Sequence, residues 1–289
     1  NSMRKIFIKK LTELNIKKKN IYLVINDLGF NVVEPFKKKF PKNFYNAGVS
    51  EQNMMGLAAG LASEKAQVFV YSIANFSTFR CAEQIRNDVD YHNLPVTIVS
   101  VGSGLGYGNL GYSHFALQDY ALMRLFPNML ILSPGNLDEL YKIIKFITNK
   151  PLTSYLRLDK DKPSSDYTIR DKQIVPGKIY KLKHGIKEKV ILTTGNVQNI
   201  AEKINKNNHS IYSLPIWGMK TKKITQNYLK NFKQILTIED HFEDGGFGSW
   251  VRECMKNTNI KIITKSINSD VLKTVGSKRY LLNKFGPRI

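Results

Sequence analysis

Cysteine is nearly absent from this chain of 289 residues. Cys81 and Cys254 are its two, far apart and outside any metal-binding spacing. That excludes a disulfide scaffold and a cysteine-rich zinc module, and it reads as two reduced thiols in a cytoplasmic protein. Long apolar runs are missing too: no stretch reaches the about 18–20 residues that span a bilayer. Asn1-Ser2-Met3 reads as a cloning remnant before a native methionine, not as a signal peptide. Acids are scarce, 23 against 44 lysines and arginines, for a net charge of +21. This excess is not read as a nucleic-acid footprint. The lysines are spread along the chain, and Lys17-Lys18-Lys19 and Lys37-Lys38-Lys39 are short runs beside predicted strands. No helix-turn-helix, zinc finger or aromatic-basic RNA motif accompanies them. Phosphorylated substrates or an acidic partner subunit suit the charge better. There is no internal repeat and no low-complexity segment.

What is present is a globular composition, 42% hydrophobic, in a chain long enough for two domains with cores. Helical and strand patterns alternate, which predicts an α/β fold of two domains, each a mostly parallel sheet covered by helices. Residues 1–160 make the first domain. A helix over 4–14 leads to a strand at 21–25, and the helix opening at Glu51 leads to a strand at 67–71. A helix over 78–91 leads to a strand at 96–101. After a glycine-rich loop come a strand at 129–132, a helix over 137–147 and a strand at 153–158. The polar stretch 159–172 contains Pro163-Ser164-Ser165, and the linker is placed at 161–174. The second domain, 175–289, alternates again, with strands at 190–194, 209–213, 234–239 and 261–264.

The segment Asn46-Ala47-Gly48-Val49-Ser50-Glu51-Gln52-Asn53-Met54-Met55-Gly56-Leu57-Ala58-Ala59-Gly60-Leu61-Ala62 sets an acid at the mouth of a small, apolar helix. Ser50 or Asn46 ends the loop before it. Met54, Leu57, Ala58 and Leu61 recur at helical spacing, so one face is buried. Glu51 is either a carboxylate held at a tight, poorly hydrated interface or an ordinary first-turn acid favoured by the helix dipole. Phe76 and Phe79, in Asn75-Phe76-Ser77-Thr78-Phe79-Arg80, lie just past a strand end, where ligands of open α/β sheets bind. They are stacking faces for a flat heterocycle or core residues. The loop Gly102-Ser103-Gly104-Leu105-Gly106-Tyr107-Gly108-Asn109-Leu110-Gly111-Tyr112-Ser113-His114 has neither dinucleotide spacing nor Gly-Lys-Ser/Thr, so its glycines point to close backbone approach of a ligand or partner. His114 ends it. Asp27-Leu28 follows the first strand, where a turn-forming aspartate is the plain alternative. Arg157 sits at a strand end. Asp240, His241 and Glu243 are successive residues on one turn and are not read as metal ligands.

Taken together, these segments resemble the thiamine diphosphate enzymes of the transketolase family, from about Arg4 to the C-terminus. The resemblance implies that Glu51 hydrogen-bonds N1′ of the aminopyrimidine ring, that Phe76 and Phe79 hold that ring, and that Asp27 and Leu28 support the cofactor site. A third stacking aromatic of many family members is replaced by Ala82. Gly111-Tyr112-Ser113-His114 is similar to a Gly-x-Thr-His pattern whose histidine contacts the substrate oxygen. Arg157 matches a phosphate-binding arginine. By the same resemblance Glu51 and His114 are the catalytic residues, and His114 and Arg157 the substrate residues. Leu110 stands where many members carry an aspartate that binds an acceptor hydroxyl, and Gly102 where many carry a phosphate-binding histidine. The stretch Glu239-Asp240-His241-Phe242-Glu243-Asp244-Gly245-Gly246-Phe247-Gly248-Ser249 resembles the family's C-terminal domain and implies an interface role.

The family's Gly-Asp-Gly motif, which holds Mg²⁺ and the diphosphate, is absent from the sequence. The resemblance is therefore to the C-terminal subunit of a split transketolase, transferring a two-carbon ketol unit from ketose to aldose. It implies thiamine diphosphate shared with a separate N-terminal subunit that carries the Mg²⁺, and an α2β2 assembly. Two alternatives stay open. One is the β subunit of a 2-oxo acid dehydrogenase E1 component; the other is a non-catalytic partner subunit of the same fold.

Overall fold

Apolar strands and amphipathic helices alternate along the chain, and in the computed structural model, which describes residues 2–163 and 165–287, they assemble into two sheets. Ser164, inside the predicted linker, lies outside the described residues, as does Asn1. The strands are β1 (Ile21–Ile25), β2 (Phe44–Asn46), β3 (Gln67–Ile73), β4 (Val96–Val101), β5 (Leu130–Leu132), β6 (Ser154–Leu158), β7 (Tyr180–Lys183), β8 (Ile186–Thr193), β9 (His209–Ser213), β10 (Ile216–Gly218), β11 (Gln234–Ile238) and β12 (Lys261–Lys265). The first sheet has seven strands in the order β10-β5-β6-β4-β3-β1-β2, and the second has five in the order β12-β11-β8-β9-β7. Among the described strands, β10 and β7 alone run antiparallel to their sheets. The α/β architecture of two mostly parallel, helix-covered sheets is thus as expected.

β4 is buried at all six positions, as a central parallel strand covered on both faces must be. One cover is the helix Leu137–Asn149, which buries Leu140, Ile143, Ile144 and Ile147 and is capped by Asn136 accepting from the Glu139 N–H at 2.9 Å. Another is the helix Glu51–Ser63. It buries Met54, Met55, Ala58, Ala59 and Ala62, while Leu57 and Leu61 pack at the margin. Its Gly56 and Gly60 face open space.

Two departures affect the site. The helix expected over 78–91 is broken into a 3₁₀ turn at Phe79–Cys81, a single α turn at Ala82–Gln84 and a π segment at Ile85–Asp90. The two halves are also welded together. β10, from the second half, pairs with β5 of the first sheet, Trp217 lying opposite Ile131. Trp217 then packs on Tyr120, Phe247 and Trp250, with ring centroids 5.1–5.3 Å apart. Such a seam of aromatic area makes the two halves one body.

Candidate active site

Because β1, β3, β4 and β6 are parallel, their carboxyl ends share one edge, and the loops that leave it bring the candidate residues together. Glu51 opens its helix there and is only 6% exposed. Its Oε1 accepts from Asn26 Nδ2 at 3.2 Å and from Arg80 Nη1 at 3.1 Å, and its backbone carbonyl accepts from the Cys81 thiol at 3.1 Å. Burial, with the Glu51 charge beside it, pushes the Cys81 thiol up to about 12, so this cysteine stays protonated and is no nucleophile. Asn26 is itself buried, and its Oδ1 has no hydrogen-bond partner. A buried acceptor without a donor costs stability, and such atoms gather where a ligand supplies the missing bond.

Phe76 forms the next wall. The His114 ring meets it edge-on at 5.3 Å, and the Arg80 guanidinium lies over its face at 4.8 Å. Phe79 stands 48% exposed on the following turn and makes none of the ring contacts seen among the described residues. His114 is half-buried. Ser113 Oγ lies 2.9 Å from its Nδ1, and burial holds its pKa below the usual histidine value. The loop's near end is fixed by Asn75, whose Nδ2 donates to the carbonyls of Ser113 at 2.9 Å and Phe115 at 3.0 Å. Tyr107 stands beside His114, ring centroids 6.3 Å apart, over Gly102, where any Cβ would run into its ring. The space that a side chain at position 102 would take is therefore filled by an aromatic ring. Lys160 Nζ lies 5.0 Å over that ring. Arg4 lies close to the Tyr71 and Tyr107 hydroxyls, and its buried Nε has no hydrogen-bond partner.

Asp27 serves as frame. It adopts a positive φ of 58°, and Asn46 ties it down by accepting from its N–H and donating to its carboxylate, both at 2.9 Å. Asn46 also accepts from the Gly48 N–H at 3.0 Å, which links the end of β1 to the approach of the Glu51 helix. Leu28 is half-buried beside it. Leu110 is 54% exposed and carries no polar group. Among the described residues no three His, Cys, Asp or Glu side chains gather to hold a metal ion, and no helix is long and apolar enough to cross a membrane.

Arg157 requires a correction. Expected to offer its guanidinium to a substrate phosphate, it is 2% exposed and committed inward. It donates to Asp119 Oδ2 at 2.6 Å, to Asp240 Oδ1 at 2.5 Å and to the Ala116 carbonyl at 2.8 Å, and it stacks on Tyr120. A fork-shaped donor buried between two carboxylates and a backbone carbonyl spends its N–H groups on them and has none left for a ligand. Among the residues at the site that were not singled out from sequence are Asn26, Asn75 and Arg80. Asn26 and Asn75 each follow a strand, and that position was the available signal.

This geometry can be set against known proteins. Residues 1–164 match the family described as Transketolase, pyrimidine binding domain. The chain belongs to the transketolase family. It is 35% identical to a protein of Methanocaldococcus jannaschii described as a transketolase C-terminal section, over 98% of this chain and 92% of that one. It is 30% identical to one subunit of the apulose-4-phosphate transketolase of Actinobacillus succinogenes, over 81% and 76%. A solved split-gene transketolase, described as an inactive β4 tetramer, has a TM-score of 0.84 at 28% identity and is matched over 99% of this chain and 93% of its own. The extent of these matches is that of the C-terminal section of transketolase, and thiamine diphosphate is the cofactor that the family implies.

Proposed function

We propose that this chain is the C-terminal subunit of a split transketolase. It would transfer a two-carbon ketol unit from a phosphorylated ketose to an aldose, with thiamine diphosphate held between it and a separate subunit. The observation that carries the reading is the meeting of a buried carboxylate, an unpartnered buried acceptor, an aromatic face and a half-buried histidine at one sheet edge. That donor set fits an aminopyrimidine. Glu51 offers a carboxylate oxygen to a ring nitrogen, Asn26 Oδ1 an acceptor to an exocyclic amine, and Phe76 a face to the ring. With no Gly-Asp-Gly in the sequence, Mg²⁺ and the diphosphate belong to the partner.

When bound, thiamine diphosphate supplies the nucleophilic carbon and the electron sink for breaking a carbon–carbon bond. The protein's share is orientation and proton management. Both donors to Glu51 bond Oε1, which leaves Oε2 to hold a proton at the pyrimidine nitrogen. Arg80 lies on the face that the ring would use; its side chain is 56% exposed and free to swing into solvent. When Ser113 donates to Nδ1, the His114 proton sits on Nε2, ready to donate to a substrate oxygen as charge develops on it. Lys160 and Arg4 bring two cations to the same edge, which suits a phosphorylated substrate. The Actinobacillus relative, itself one subunit of an enzyme, and the tetramer of the split-gene protein support a multi-subunit assembly, for which we propose α2β2.

The test is co-expression with the diphosphate-binding subunit, followed by ketose consumption with Mg²⁺ and thiamine diphosphate. Glu51→Gln should abolish turnover with an unchanged circular dichroism spectrum. Near-normal turnover would return Glu51 to an ordinary helix-start acid. Consumption of 2-oxo acids without ketoses would replace this reading with the dehydrogenase one.

A further inference from the structure

We infer that the chain segment 274–281 of the C-terminal half is a strut that seats the loop carrying His114, with Gly108, Gly276 and Leu281 as positioning residues; their link to catalysis rests on the role proposed for His114. The loop holds five glycines between Gly102 and Gly111, and glycine has the most backbone freedom to lose on ordering. Three of the five face the second half of the chain at close range, and Gly104 and Gly111 also take positive φ, at 57° and 76°. A Cβ on Gly104 would lie 2.7 Å from Asp240 Oδ2 and 2.8 Å from its carbonyl oxygen. One on Gly108 would lie 2.5 Å from the Gly276 carbonyl oxygen and 2.7 Å from Leu281 Cδ1, and one on Gly111 would lie 3.3 Å from Val275 Cγ2. The close backbone approach that the glycines signal in the sequence is, at these three, approach of the C-terminal half.

The contact is bonded and packed. The Gly276 N–H donates to the Gly108 carbonyl at 3.2 Å. Beneath it Leu105, Phe115 and Leu117 of the loop region share one apolar cluster with Ile267, Val271, Leu281 and Phe285. The strut also has a fixed footing. Lys278 Nζ pairs with the buried Asp159 carboxylate just past β6, and the Asn268 N–H donates to the Phe285 carbonyl at 2.9 Å. The β10 pairing and the Arg157 pairs to Asp119 and Asp240 tie the two halves together elsewhere. The loop end that bears His114 is held from the other side by Asn75. The imidazole is therefore placed between two anchors, and a displacement of about 1 Å at such a group costs as much as about 10²-fold in rate.

Hydrogen exchange on the free full-length chain tests the strut without reference to activity. Amides of residues 104–116 should exchange slowly in the wild type. Leu281→Ala should speed them by about tenfold or more while amides of β1, β3 and β4 keep their protection, and Leu281→Met should restore the slow exchange. Gly108→Ala, whose Cβ meets the Gly276 carbonyl, should loosen the same amides. In the assembled enzyme both disruptive variants should lower kcat with the cofactor affinity unchanged. A wild-type loop that exchanges as fast as an open coil, a Leu281→Ala loop as slow as wild type, or a loss spread evenly over the first sheet would overturn the strut. A loosened loop with full ketol-transfer rate would keep the strut and overturn the role given to His114.

Discussion

His114 sits half-buried against the rings of Phe76 and Tyr107, and burial holds its pKa below the 6.5 of a free histidine. Its imidazole is thus neutral through the neutral range, which suits a hydrogen-bond donor to a developing oxyanion better than a fixed cation. Removing one such donor typically costs about 10²–10³ in rate. His114→Ala is therefore expected to lower kcat by that order with assembly intact, and to erase an acid limb that falls below pH 6.5 in the wild type. An unchanged rate, or an acid limb that survives the substitution, would remove His114 from the chemistry. Leu110 offers no carboxylate to an acceptor hydroxyl, so the enzyme should treat acceptors epimeric at C2 alike; steady-state rates with epimeric aldehydes check this. Position drew attention to Glu51, Phe76 and His114, since one opens a small-residue helix, one follows a strand and one ends a glycine-rich loop, but only the family resemblance gave them roles. Arg80 could not be picked out by position, because its meaning depends on lying over Phe76 while bonding Glu51, a relation in space with no counterpart in spacing. Arg157 shows the converse error. A strand-end arginine looks alike in sequence whether it faces solvent or two buried aspartates.

The helix Phe247–Cys254 carries a different conflict at its start. The Glu239 carboxylate accepts from the Phe247 N–H at 2.6 Å and the Gly248 N–H at 3.0 Å. Both bonds and the helix dipole favour the charged form, yet burial dominates and pushes the pKa up to about 8. The folded value lies above the ordinary glutamate value of 4.5, so the folded chain holds a proton that the unfolded chain releases between the two. Stability from this group is complete below pH 4.5 and is lost as pH rises through about 8. Glu239→Gln cannot ionise. Its Tm should therefore gain on that of wild type as pH is raised across that window, and parallel Tm curves would show that Glu239 is ionised in both states. At this scale the sequence was readable where burial is two-sided. β1, β3, β4 and the Val190–Leu192 end of β8 are apolar runs because parallel strands are covered on both faces. β10 was invisible, since three residues carry no period, and its partner lies 84 residues upstream by the pairing of Ile216 with Leu132. The break-up of the expected 78–91 helix was hidden for a related reason. α, 3₁₀ and π turns bury similar residue types over so short a span, and only backbone bonding separates them.

At the scale of the whole molecule, the two halves share a sheet, a buried Arg157 cluster and a polar seam in which Gln198 joins Asn136 and Glu139. The chain therefore presents the Glu51 edge as part of one rigid body. The proposed division of labour gives the diphosphate and its metal to the partner, a reading motivated by the missing Gly-Asp-Gly in the sequence. The chain's net charge of +21 attracts anions broadly, but scattered lysines give a salt-sensitive attraction and not an oriented site. In the proposed site the bond from Arg80 to Glu51 adds a further cost, because a pyrimidine would have to displace the guanidinium from Phe76 in order to stack there. The chain alone is accordingly expected to bind thiamine diphosphate weakly even with Mg²⁺, and to lose that residual binding as salt is raised. Addition of the diphosphate-binding subunit should convert it to tight, stoichiometric and salt-tolerant binding. Arg80→Ala should strengthen binding in the complex by removing the competitor for the ring face, whereas Glu51→Gln should weaken it. Isothermal calorimetry over a salt series, on the chain with and without its partner, decides the matter: tight one-to-one binding by the chain alone would mean that it carries a complete cofactor site and that the division of labour proposed here is wrong.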